Sequence, residues 1–173
     1  VFDNSSTDNT AAVARAFGAT VHGVSFRGKG NVVRRIFADV DADIYVLTDG
    51  DLTYSADHLA EHVHRMQAEA LDMIVGRRVD DAGGAGQYRR GHRLGNWLLT
   101  QAAQWSFGGG FTDMLSGYRL FSRRFAKSFA AHSRGFEIET ELTVHALELR
   151  MPVAEIPVDY RARAEGSSSK LST

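Results

Sequence analysis

From its first residues the chain alternates short apolar runs with stretches in which apolar residues recur at helical spacing. Val1-Phe2 reads as the end of a strand and runs into Asp3-Asn4-Ser5-Ser6-Thr7-Asp8, a cluster of helix-capping residue types. Ala12, Val13, Ala16 and Phe17 then recur at helical spacing until Gly18 stops them. Residues 20–26 are rich in strand formers, and Gly28-Lys29-Gly30-Asn31 opens a second helix carrying Val32, Val33, Ile36 and Phe37. Ile44-Tyr45-Val46-Leu47 is a continuous apolar run, the pattern of a strand buried on both faces, and it ends abruptly in Thr48-Asp49-Gly50-Asp51. Ser55 is expected to cap a helix reaching about Ala70, with Leu59, Val63 and Met66 on one face. Met73-Ile74-Val75-Gly76 is another short buried strand. Residues 77–92 are polar, rich in Gly and Arg, and fit neither period. A helix is predicted over 94–107, a strand over 118–121 leading into a short helix near 123–130, and a helix over 137–149 that Pro152 ends. Residues 154–160 form the last strand, and Gly166-Ser167-Ser168-Ser169-Lys170 is loop-like.

Strands alternating with helices predict an α/β fold with a doubly wound, mainly parallel sheet and helices on both faces. Ligands of such sheets bind beyond the carboxyl ends of the strands. The polar clusters at Asp3, Asp49 and Gly76 each follow a strand and are therefore expected on one rim. With 173 residues and no internal repeat or linker, residues 1–173 are read as a single domain.

Composition narrows the chemistry. A formal net charge of −1 argues against a nucleic-acid binder, and the absence of Cys excludes disulfides, thiolate metal sites and Cys nucleophiles. No apolar run approaches the ~20 residues that span a bilayer. Of 20 basic residues only Lys29, Lys127 and Lys170 are Lys. The one informative concentration of Arg is Arg77, Arg78, Arg89, Arg90 and Arg93, which flank a Gly-rich loop and point to a local phosphate site.

Asp49-Gly50-Asp51 is the sharpest motif. Two carboxylates one residue apart at a strand end can hold a hard divalent cation against diphosphate oxygens, and the Gly between them keeps a side chain out of the ligand's way. A strand-ending turn accounts for the triplet equally well when it is taken alone. Asp49-Gly50-Asp51-Leu52-Thr53 also fits the nucleophile motif of haloacid-dehalogenase-like phosphatases. That chemistry needs a later Lys followed by an acidic pair, whereas the one such pair, Asp80-Asp81, precedes both later lysines.

Asp113-Met114-Leu115-Ser116-Gly117-Tyr118-Arg119 extends the pattern. With Asp3-Asn4-Ser5-Ser6-Thr7-Asp8, Gly28-Lys29-Gly30-Asn31, Asp49-Gly50-Asp51, Gly76-Arg77-Arg78, Phe136-Glu137-Ile138-Glu139 and Ser168-Ser169-Lys170 in that order, the chain resembles the family 2 glycosyltransferases. Among these it looks most like the dolichyl- or polyprenyl-phosphate sugar transferases. The resemblance implies a GT-A fold, a UDP- or GDP-sugar donor, Mg²⁺ or Mn²⁺, and inverting transfer to polyprenyl phosphate. A saccharide hydroxyl as acceptor, or an inactive nucleotide-binding remnant, are its alternatives. It also implies that the family's first strand precedes Val1, and that the protein works on the cytoplasmic side, with peripheral contact at the inner membrane face.

By the same resemblance Asp3 and Asn4 contact the donor's base and ribose, Asp49 and Asp51 form the metal and diphosphate site, and Lys29, Arg119 and Lys170 belong to the donor site. Asp113 lies beside the acceptor, and Arg78 and Arg93 resemble the arginines that meet an acceptor phosphate. Relatives often carry Gln where this chain has Thr53. An anionic phosphate acceptor needs cationic positioning more than a base, and Arg forks suit it; a hydroxyl acceptor needs a base, for which Asp113 is the candidate.

Other features read as structural. His58 and His62 lack an HExxH pattern and are expected on a solvated helix face. Gly28-Lys29-Gly30 is too short for a phosphate-binding Walker loop, leaving a turn or a donor contact from Lys29. Leu94, Trp97, Leu98 and Trp105 read as core packing ahead of membrane contact. Glu137, Glu139 and Glu141 cannot share one helix face, so one or two are expected at the site.

Overall fold

The computed structural model describes residues 1–80 and 112–161. In chain order these form β1 (Phe2–Asp3), α1 (Thr10–Ala16), β2 (His22–Gly23), α2 (Lys29–Asp39), β3 (Ile44–Leu47), α3 (Leu59–Ala68), β4 (Met73–Asp80), β5 (Arg119–Ser122), α4 (Arg123–Ser128), α5 (Ile138–Glu148) and β6 (Val153–Tyr160). β1 and β2 pair in parallel, and a four-stranded sheet has the order β3-β5-β4-β6. β4 and β6 are parallel, while β5 runs antiparallel to both β3 and β4. Three strands of this sheet therefore run one way and one is reversed between them.

The two-residue period of β4 divides the core. Met73 and Val75 point to one face, where α2 brings Val33 and Phe37, α4 brings Phe125, and α5 brings Ile138, Leu142 and Ala146. Ile74 points to the other, where it packs with Leu120, Ile156, Val158 and Met66 of α3. Helices thus cover both faces, as the alternation of elements predicts. Phe37 anchors the first cluster, its ring edge-on to Tyr45, Phe121, Phe125 and Phe129 with centroids 5.4–6.5 Å apart. Each such buried aromatic side chain stabilises the fold by about 1.5–3 kcal/mol.

Four sequence expectations change. β3 is buried unevenly: Tyr45 is buried in the first cluster, and on the opposite face Ile44 packs against the second while Val46 is 39% exposed. α1 forms where expected, yet Val13 and Phe17 face outward. β4 continues four residues past its apolar run, through Arg77 and Arg78, because β6 pairs with it in unbroken register from Met73↔Val153 to Asp80↔Tyr160. Ladder hydrogen bonds carry the strand where side-chain periodicity fails. α3 begins at Leu59: Tyr54 makes an isolated bridge to Tyr160, and the Ser55 hydroxyl bonds Asp57. The helix expected over 94–107 lies outside the described residues. Among the described residues no helix is long and apolar enough to cross a membrane.

Candidate active site

The start of α2 is pressed against the loop preceding α5. Gly30 N–H donates to the carbonyls of Arg134 and Gly135 at 3.1 and 3.2 Å. A Cβ on Gly28 or Gly30 would stand 2.1 or 2.2 Å from the carbonyl oxygen of Arg134 or Ser133, so only glycine permits this approach. Lys29, between them, is thereby aimed across the molecule. Its Nζ lies 2.7 Å from Asp49 Oδ1, just beyond β3, and 2.7 Å from Glu139 Oε1 on α5. Burial alone would pull the Lys29 pKa down, but the two carboxylates outweigh it and hold the ammonium above the ordinary lysine value. The Gly28-Lys29-Gly30 segment is at once a close-packed turn and the mount of an ion pair.

Asn4 ties β1 into the same corner. Its Oδ1 accepts from Gly28 N–H at 2.7 Å, and its Nδ2 donates to the carbonyls of Val24 and Phe26. Asp3 accepts from Ser6 N–H at 3.2 Å. Asp51 accepts from the Thr53 hydroxyl at 2.6 Å, and Leu52 between them adopts a left-handed conformation (φ +62°).

The 113–118 loop closes the site from the other side. Asp113 is buried and accepts a two-pronged bond from Arg78, with Nε and Nη2 each 2.7 Å from a carboxylate oxygen. The Arg78 guanidinium also lies 5.5 Å over the Tyr160 ring. Glu155 on β6 fixes the loop's entrance by accepting from Thr112 N–H (2.8 Å), Asp113 N–H (2.9 Å) and the Thr112 hydroxyl (2.6 Å). Tyr54 accepts from Gly117 N–H at 3.1 Å and sits 3.3 Å from Ser116 Oγ. Burial raises the Tyr54 pKa, and Arg78 opposes it. Gly117 meets the first cluster: a Cβ there would stand 2.4 Å from Asp49 Oδ2.

Arg119 lies wholly inside the protein beneath this loop. It donates to the carbonyls of Ser116 and Met114 and to Thr143 Oγ1. Burial lowers its pKa to about 10, against the attraction of Glu139 and Asp113. Its contacts organise the loop from below.

The structure therefore brings Asn4, Lys29, Asp49 and Gly117 into one chain of contacts and joins Arg78 to Asp113 through the neighbouring loop. Arg93 and Lys170 lie outside the described residues. Of the three alternating glutamates, Glu139 meets Lys29, while Glu141 caps the backbone of His132 and Ser133. His62 departs from the expected solvated face, with Nδ1 2.9 Å from the Tyr118 hydroxyl, whereas His58 is exposed. Sequence reasoning passed over Glu155, Tyr54 and Tyr160 because each acquires its partner only when distant strands meet.

Asp49 and Asp51 suit a hard divalent cation. Among the described residues no group of three or more His, Asp or Glu could hold a metal ion, so the pair would supply two oxygen ligands and leave the rest to phosphate oxygens and water. That division is the usual one for Mg²⁺. The bare Cα of Gly117 leaves the Asp49 carboxylate the space it occupies.

Residues 1–129 match the family model described as Glycosyl transferase family 2. The chain is 34% identical over 172 residues to "Glycosyltransferase AglJ" of Haloferax volcanii, covering 99% of this chain and 56% of that protein. It is 27% identical over 159 residues to the same organism's "Dolichyl-phosphate hexose transferase", covering 92% and 68%. Glucosyl-3-phosphoglycerate synthase of Mycobacterium tuberculosis, solved with Mn²⁺, UDP-glucose and phosphoglyceric acid, superposes with a TM-score of 0.74 at 25% identity, covering 96% of this chain and 60% of that one. The chain thus spans somewhat more than half the length of AglJ and of the synthase.

Proposed function

The chain belongs to glycosyl transferase family 2, and from that membership we propose that its site transfers a sugar from a nucleoside-diphosphate sugar to a phosphate-bearing acceptor, with inversion, polyprenyl phosphate being the acceptor class. The bond from the anomeric carbon to the diphosphate oxygen breaks, and an acceptor oxygen bonds to that carbon from the opposite face. The nucleoside diphosphate leaves. In this reading residues 1–173 form one catalytic domain working at the cytoplasmic membrane face, where a lipid acceptor resides.

The observation that carries the choice of acceptor is the bidentate Arg78–Asp113 pair. Both Asp113 oxygens already accept charge-assisted bonds from that guanidinium, so the carboxylate is placed as the partner of Arg78 and not as the base for an acceptor hydroxyl. An acceptor already ionised at its phosphate needs no such base. Support for the donor comes from the synthase complex with UDP-glucose and Mn²⁺, and support for the acceptor from the relative named a dolichyl-phosphate hexose transferase. Asp49 and Asp51 would hold Mg²⁺ or Mn²⁺, which would supply neutralisation of the charge on the departing diphosphate. Lys29 adds a fixed cation beside it, Asp3 and Asn4 bound the donor corner, and Arg78 orders Asp113 at the acceptor side.

Calorimetry with UDP-, GDP- and dTDP-sugars in the presence of Mn²⁺ tests the donor; no metal-dependent binding to any of them refutes the transferase reading of this chain. Transfer to polyprenyl phosphate that survives Asp113→Asn supports the phosphate acceptor. Loss of transfer in that variant, with its fold intact, favours a hydroxyl acceptor using Asp113 as base.

A further inference from the structure

Lys29 is shared between two carboxylates of different character. Asp49 stands at the rim with 37% of its side chain exposed, whereas the Glu139 side chain is 8% exposed. The segment bearing Glu139 is braced from within: Thr143 Oγ1 donates to the Glu139 carbonyl and accepts from the buried Arg119. The other end of the contact is fixed by the close approach of Gly28 and Gly30 to the 133–135 backbone. Lys29 is thus anchored from behind and meets Asp49 in front.

We infer that Glu139 is a positioning residue that retains Lys29 and so leaves Asp49 able to exchange its ammonium partner for a divalent cation. The inference rests on the reading of Asp49 as a metal ligand given above. An ammonium between two carboxylates is attracted to both, and removing the inner one concentrates its attraction on the outer. Lys29 would then compete with an incoming cation for Asp49 Oδ1. With Glu139 present, the ammonium keeps a charged partner after the exchange, and no buried charge is stranded.

The test is Mn²⁺ affinity, measured by titration calorimetry without nucleotide, so that Lys29 has no diphosphate to contact, for the wild-type chain, Glu139→Gln and the double variant Lys29→Met/Glu139→Gln. Thermal melts followed by circular dichroism report the fold of each. Glu139→Gln is expected to weaken Mn²⁺ binding about tenfold, the order of one charge-assisted contact. The double variant is expected to recover to within about threefold of wild type, because the competing ammonium leaves with its anchor. A merely structural role for Glu139 would not produce that recovery. Where Glu139→Gln does not fold, Glu139→Asp and Lys29→Met/Glu139→Asp repeat the comparison with the inner charge kept and shortened. Unchanged affinity in Glu139→Gln, or equal weakening in the single and double variants, overturns the inference alone. A wild-type chain that binds no Mn²⁺ overturns the metal-site reading and this inference with it.

Discussion

Gly117→Ala separates the site from the scaffold that carries it. The added Cβ would stand 2.4 Å from Asp49 Oδ2 and 3.0 Å from Lys29 Nζ, where ordinary contact begins at 3.4 Å. The Asp49 carboxylate must therefore withdraw by about 1 Å, and Lys29 by less. Both are side-chain ends, and Asp49 is partly exposed, so the backbone need not move and the cost in stability stays below about 1 kcal/mol. A 1 Å misplacement of a catalytic group costs about a hundredfold. We expect Gly117→Ala to lower turnover by that order and to weaken Mn²⁺-dependent UDP binding, with a melting temperature close to wild type. Gly76→Ala is the counterpart: its Cβ would lie 2.7 Å from Tyr118 Cδ1 and 2.9 Å from both Val158 methyl carbons inside the second core cluster. It should cost about 1–3 kcal/mol by overpacking. Parallel melts and calorimetric titrations decide the matter. A Gly117→Ala protein with wild-type affinity and turnover, or one that melts as early as Gly76→Ala, refutes the reasoning.

Among the described residues a Cβ on Gly50 meets no atom within 4 Å beyond its chain neighbours, so Gly50→Ala should leave the melting temperature unchanged while lowering nucleotide affinity, a loss that calorimetry would assign to the ligand's own space. Arg78→Met removes the two-pronged guanidinium partner of the buried Asp113 carboxylate and should destabilise the fold by about 3 kcal/mol, read by urea unfolding. Glu155→Gln removes charge from the acceptor of two backbone N–H groups and should cost about 1–2 kcal/mol in the same assay. Asp72 is subject to burial, which raises its pKa, but bonds from Arg124 and Ser122 prevail and hold it below the ordinary carboxylate value. The folded state therefore binds that proton less readily than the unfolded one. The stabilisation should be complete above about pH 4 and disappear as pH falls through the folded pKa, so wild type and Asp72→Asn should converge in stability in acid unfolding profiles.

Local periodicity made most of the elements legible. α2, β5, α4, α5 and β6 fall where apolar spacing and breakers put them, because each buries a continuous stripe or an alternating set. β4 beyond Gly76 was not legible: Arg77 and Arg78 are held in a strand by β6, some eighty residues away in the chain. Phe17 misled in the opposite direction, since helical spacing places an apolar residue on a face without saying what covers that face. At the site, motif order assembled Asn4, Lys29, Asp49 and the 113–118 loop. It did not reveal that Asp113 is already paired, or that Arg119 is spent on backbone carbonyls and a threonine. Those facts depend on contacts across the sheet, which composition and spacing do not encode.

The paired charges bear on why the proposed reaction would use a metal ion. Among the described residues the site sets Lys29, Arg78 and Arg119 against carboxylates that include Asp49, Asp51, Asp113, Glu139 and Glu155. Arg78 is answered by Asp113, and Lys29 stands between Asp49 and Glu139. Arg119 is withdrawn beneath the loop, where its charge offsets the excess acid without being presented at the surface. The carboxylates of Asp49 and Asp51, which follow β3, would by themselves disfavour a diphosphate beside them. One divalent cation would reverse that effect at the point where the leaving group's charge develops. A site with its arginines unpaired at the rim would attract the diphosphate without a metal, but it would bind donor, product and phosphate acceptor alike. In the proposed reaction, turning Arg78 and Arg119 inward and setting Asp49 and Asp51 at the strand end would favour diphosphate binding together with a metal ion.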